Sequence, residues 1–111
     1  EYAYPELEVI SPLLSANEMA TFNWNVSPGT RMVSNQFWVS KGQTIHVAAT
    51  ASPSSSTFWI GIMDGLNNAR YVEGTGNLSH GFSITSSGHY RVFVQNRSSV
   101  QINAAGSYYF D

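Results

Sequence analysis

Between residues 87 and 98 the chain reads Ser, Gly, His, Tyr, Arg, Val, Phe, Val, Gln, Asn, Arg, Ser, an alternation with a two-residue period and polar stops at both ends. Successive side chains of a strand point to opposite faces, so this segment is a β-strand packed through Tyr90, Val92 and Val94 and wetted on the other side. A helix would need apolar residues repeating every three to four positions, and no segment shows that convincingly. An all-β fold is the expectation that everything else must fit.

Similar alternation recurs between turn residues spaced every eight to twelve positions, the spacing of a sandwich or barrel. A first strand is expected over residues 7–14, bent or at an edge because of Pro12. A second, over residues 19–26, puts Phe22, Trp24 and Val26 on one face. Residues 32–39 read as one strand, with Val33, Asn35, Phe37 and Val39 on one side and Gln36 and Trp38 on the other. After a turn at Lys41 and Gly42, Ile45, Val47, Ala49 and Ala51 face inward, and the serine-rich residues 52–56 form a loop. Phe58, Ile60 and Ile62 point in, with Trp59 and Met63 out. A turn at residues 64–68 leads to a short return strand over 69–73. Leu78, His80, Phe82 and Ile84 share the next inward face, and Val100, Ile102 and Ala104, then a strand over 108–110, close the chain. About eight to ten short strands without a fixed repeat make a single domain, residues 1–111, an antiparallel β-sandwich of jelly-roll type. Tyr90 should bury its ring between the sheets and bond its hydroxyl to backbone near a turn.

A domain of 111 residues buries roughly 65% of its unfolded surface, enough for a core without staples, so the lack of cysteine is no obstacle. Charged residues are only 11% and the net charge is −2, which leaves a hydroxyl- and amide-rich surface with no field for nucleic acid or anionic lipid. No apolar run is long enough for a membrane span. The chain begins at Glu1 rather than methionine, which fits an exported protein whose leader has been removed.

Residues 36–110 resemble the small β-sandwich modules typified by bacterial pre-peptidase C-terminal domains and the eukaryotic GOLD domain. The elements that carry the resemblance are Phe37 and Trp38; Lys41, Gly42, Gln43 and Thr44; Ile60, Ile62 and Asp64; Phe82; and Gly88, His89 and Tyr90 with Val92, Val94 and Asn96. The acidic calcium-ligating clusters of some such modules are thin here. The resemblance implies a secreted, accessory, non-catalytic module whose ligand it leaves open.

No nucleophile elbow, zinc-protease helix motif, phosphate loop or cysteine nucleophile is present, so an enzyme, a small hydrolase, ranks third among the readings. Parity sets His80 on an inward face and His89 on an outward one, leaving only a His46 and His89 pair as a weak metal candidate. Calcium has candidates in Asp64, Asn67, Asn68 and Glu73, with Asn77 nearby, against the simpler reading of turns stabilised by Asx side chains. No cofactor is otherwise implied. Asn25, Asn77 and Asn96 head glycosylation sequons expected by chance in a chain this rich in Asn and Ser.

The leading functional signal is the outward aromatics. Parity sets Trp38, Trp59 and Phe93, with Met63, on outer faces, and Gln36, Gln95 and Arg91 beside them. A flat aromatic can stack on a sugar ring while amide and guanidinium groups bond its hydroxyls. A loop or the N-terminal segment covering these rings is the competing explanation. The first reading is therefore a secreted or surface-displayed module that binds a glycan or cell-wall polymer. A membrane-active or self-assembling effector is the alternative, based on the apolar, charge-free window of residues 58–63.

Overall fold

The structure, a computed structural model, describes residues 16–111. Nine strands run through them: β1 (Ala20–Val26), β2 (Arg31–Val33), β3 (Phe37–Val39), β4 (Thr44–Ser52), β5 (Thr57–Met63), β6 (Ala69–Thr75), β7 (Asn77–Ser83), β8 (Gly88–Asn96) and β9 (Ile102–Phe110). The strand expected over residues 7–14 lies outside the described residues. One sheet has the order β1-β9-β4-β7, and the second has the order β2-β8-β5-β6, with β3 pairing further along β8. All pairings are antiparallel. With β2 and β3 counted as one interrupted strand, eight strands follow the jelly-roll order.

The alternating residues of both sheets meet in one core. Phe22, Trp24 and Val26 of β1 oppose Ile45, Val47, Ala49 and Ala51 of β4 through β9, and from the other sheet come Phe58, Ile60, Ile62, Val92 and Val94. Aromatic packing ties the layers together. Phe37 of β3 stacks across the layers on Tyr108 and Phe110 of β9 at 5.5 and 5.6 Å, while within β1 Phe22 stacks on Trp24 at 4.4 Å. Gly42, with φ of 96°, takes the left-handed conformation that the turn before β4 requires. Asn96, fully buried at the end of β8, donates to the carbonyls of Val26 and Val100 and accepts from Ser98, a polar group whose buried bonds are all made.

Several expectations need correction. Residues 32–39 are not one strand: Ser34 accepts from the Val92 N–H and donates its own N–H to the Val92 carbonyl, which interrupts the ladder. The interruption flips parity, so Val33 lies on the outer face while Phe37 and Val39 face the core, and Asn35 is exposed. His80 aligns with inward Val47, but β7 is an edge strand and the ring is exposed, edge-on to Phe82. Val100 is exposed because it sits in the turn closed by Asn96 and Ser98. The two closing segments are the single strand β9. The window of residues 58–63 falls within β5, hydrogen-bonded on one side to β8 and on the other to β6, so in the folded chain it has no free edge.

Tyr90 is 9% exposed and its hydroxyl donates to the Ser86 carbonyl at 2.5 Å. Tyr90→Ala should cost about 3–5 kcal/mol of stability, the range for truncating a buried aromatic. His89→Ala, one position earlier and facing outward, should cost under about 1 kcal/mol. Thermal melts of the two variants check this, and equal losses would contradict it.

Candidate functional site

The outer face of the second sheet gathers the sequence's candidate residues. It is formed by Trp59, Gly61 and Met63 of β5, Tyr71 and Glu73 of β6, His89, Arg91, Phe93 and Gln95 of β8, and Arg31 and Val33 of β2. The middle of this face is sealed. Phe93 stands opposite Gly61, where a Cβ would come within 2.6 Å of the ring and would also strike the Arg70 carbonyl. The Arg31 guanidinium lies 3.9 Å from the Phe93 centroid, and its Nε and Nη2 donate to Gln95 Oε1 at 2.8 and 2.5 Å. Its Nη1 reaches Met63 Sδ at 3.5 Å.

Phe93 and Gln95 are consequently 0% exposed, and Met63 is buried with them. They point outward as parity predicts but are enclosed, so neither can be a ligand-contact residue on the surface. The reason is that β8 runs between β2 and β5, whose long side chains lean over it, and Gly61 lets the ring lie close to the sheet.

Trp59 lies at one end of this sealed patch with its surfaces engaged. Tyr71 stacks on it at 3.8 Å, the Arg97 guanidinium stands 4.6 Å from its centroid, and its Nε1 donates to Glu73 Oε1 at 2.7 Å. The other end is open. Trp38 pairs in register with His89, whose ring meets it edge-on at 5.2 Å, and the indole is 54% exposed. Beside His89 a depression of about 280 Å³ is lined by Val33, Gln36, Asp64, Asn67, His89 and Arg91. The structure thus brings Trp38, Gln36 and Arg91 to one end, separates Trp59 from them and buries Phe93 and Gln95. His89 was missed, because the register that pairs it with Trp38 has no signature in either segment.

The calcium candidates do not converge. Asp64 Oδ1 accepts from the backbone N–H groups of Leu66 and Asn68, both at 2.9 Å, and Oδ2 accepts from Asn68 Nδ2 at 3.0 Å. Asn67, with φ of 64°, makes the left-handed residue of that turn. Glu73 is committed to Trp59, whose register position is four residues from Met63 along β5, about 13 Å at strand rise. Among the described residues no three His, Asp or Glu side chains come together as a metal site.

His46 lies on the outer face of the first sheet, so it and His89 are on opposite sides of the sandwich and cannot share a ligand. Its ring stacks on Tyr109 at 4.5 Å and its Nε2 lies 3.1 Å from Asp111 Oδ2. This hydrogen bond draws the Asp111 carboxyl below its usual pKa. A shallow groove of about 500 Å³ runs beside the pair over Ala48, Ser79, Gly81 and Ser107.

Fold and site together describe a small jelly-roll module in which the exposed Trp38 stands edge-on to His89, a residue lining a polar depression. No family model matches the chain, and no curated protein sequence matches it. Among solved structures, the periplasmic inhibitor of g-type lysozyme from Aeromonas hydrophila, PliG, is 14% identical, with TM-score 0.55 over 100% of this chain and 98% of that one. The pre-peptidase C-terminal domain of collagenase from Bacillus anthracis is 13% identical, with TM-score 0.56 over 100% of this chain and 95% of that one. These likenesses are of fold, and they agree with the resemblance carried by residues 36–110.

The hydrogen bond from the Asn68 side chain, followed by the Asn68 and Leu66 backbone N–H groups, holds the Asp64 carboxyl below the usual carboxylate pKa. A depressed folded pKa contributes stability that is complete above the unfolded value near 4 and is lost as pH falls through the lower folded value. The melting temperature should therefore fall more steeply below pH about 4 in the native protein than in Asp64→Asn, which cannot titrate there. Parallel acid profiles would contradict this role.

Proposed function

We propose that the protein is an exported, non-catalytic binding module that takes a glycan or cell-wall polymer at the open end of the second sheet. The observation that carries this reading is Trp38, more than half exposed and braced by the edge of His89 beside Gln36, Asn67 and Arg91. An exposed indole can stack on the apolar face of a sugar, and the polar side chains of Gln36 and Asn67 in the neighbouring depression support bonding to its hydroxyls. The low charge of the chain suits a neutral, hydroxyl-rich ligand. The periplasmic origin of one structural neighbour fits export.

A second reading is favoured by that same neighbour, whose partner is a lysozyme: the Trp38 surface would then take a cell-wall-degrading enzyme rather than the polymer. Retention on insoluble peptidoglycan, chitin and cellulose, run beside an assay of g-type lysozyme inhibition, separates the two. The glycan reading expects retention on at least one polymer, abolished by Trp38→Ala at a stability cost under about 0.5 kcal/mol, as for an exposed residue. Retention on none would overturn it, and lysozyme inhibition in that case would establish the second reading. Unchanged retention in Trp38→Ala would displace the site.

A further inference from the structure

On the outer face of the first sheet the His46 ring is held from two directions. Tyr109, its register partner on β9, stacks on the imidazole at 4.5 Å and 15°, and Asp111 Oδ2 lies 3.1 Å from Nε2. The acid is itself pinned to β4: its Oδ1 accepts the Thr44 N–H and its own N–H donates to the Thr44 carbonyl, both at 3.3 Å. The hydrogen bond with His46 is the main cause that holds this carboxyl below the ordinary carboxylate pKa, so it is ionised at neutral pH. A carboxylate only accepts, so Nε2 carries the hydrogen and, in the neutral ring, Nδ1 is left as an acceptor.

That acceptor opens onto the groove because of one residue. Gly81 of β7 is the register partner of His46 on its other side, and a Cβ there would stand 3.4 Å from Nδ1, 3.6 Å from Cε1 and 3.1 Å from the Thr44 methyl. Without that carbon the Nδ1 side of the ring borders the groove of about 500 Å³. Among the described residues Nδ1 has no hydrogen-bond partner. Ser79 and Ser107, in register with Ala48 on the strands to either side, add hydroxyls along the floor. The outward positions of β1, β4, β7 and β9 include no Lys, Arg or Glu, and the Asp111 carboxylate is engaged. A charged ligand therefore finds no counter-charge on this face. A neutral one that presents hydroxyl donors meets an acceptor nitrogen beside two stacked rings.

We propose that the groove on the first sheet's outer face is a separate carbohydrate site, which takes a neutral oligosaccharide whose hydroxyl donates to His46 Nδ1. It lies on the face of the sandwich opposite Trp38 and does not rest on the reading given for that residue. The test is an NMR titration of the isotope-labelled full chain with cello-, chito- and malto-oligosaccharides. At least one of them should shift, saturably, the amides of Ala48, Ser79, Gly81 and Ser107 together with His46 Nδ1. His46→Phe, which retains a ring against Tyr109 and removes the acceptor, should weaken this binding about tenfold, the order expected from losing one hydrogen bond. Gly81→Ala, which puts a methyl where the donor must sit, should weaken it by a similar factor and leave the pairing of His46 with Asp111 in place. The spectrum of each variant reports that the domain is folded. Full affinity in either folded variant would overturn the proposal, as would the absence of shifts in the first sheet with all of the sugars. Shifts confined to Trp38 and His89 would also overturn it while supporting the site described for Trp38. Shifts in the first sheet with none at Trp38 would support it and count against that other site.

Discussion

The Phe93 ring over Gly61 is the contact on which the second sheet depends. Because Gly61 has no side chain, the ring can lie where a Cβ would be 2.6 Å away, and Arg31, Val33 and Met63 close around it. Strand β8 is thereby buried on both faces, with Val92 and Val94 in the main core and Phe93 and Gln95 in a second, smaller one. A strand in an antiparallel sandwich ordinarily packs one face and wets the other. Here the two-sided strand is also the one to which β2, β3 and β5 all bind, so its rigidity is shared by the whole sheet.

That rigidity is what gives the open end its value as a site. Trp38 sits on β3, a three-residue edge strand that would be a weak platform alone, but its pairing to His89 ties it to the start of β8. The indole is held without being covered. At the far end Trp59 shows the opposite outcome, an outward aromatic whose faces and N–H are taken by Tyr71, Arg97 and Glu73. One sheet face therefore has a closed middle, an end where Trp59 is engaged and its partner Tyr71 is partly exposed, and an open end where Trp38 is exposed.

Most of the architecture was legible in the sequence because period-two alternation encodes inward positions strand by strand. Phe22, Trp24 and Val26, the β4 series from Ile45 to Ala51, and Tyr90, Val92 and Val94 all bury as read. Parity failed where one residue broke the ladder, as Ser34 does between Val33 and Phe37. It also cannot distinguish outward from exposed: Phe93 and Gln95 point where expected, and their burial depends on Arg31 and Gly61, distant in sequence and brought alongside only by strand order. The site was half legible for the same reason. Trp38, Gln36 and Arg91 could be read from single strands, whereas the partnership of Trp38 with His89 is a property of register.

Native-state hydrogen exchange tests the two-sided burial of β8 most directly. A strand closed on both faces opens only when the domain unfolds, so the amides of Phe93, Val94 and Gln95 should exchange with the free energy of global unfolding, while those of Trp38 and His89 exchange through smaller local openings. If the amides of Phe93 to Gln95 exchanged through local fluctuations well below the global unfolding free energy, the second core would not be the anchor of the sheet.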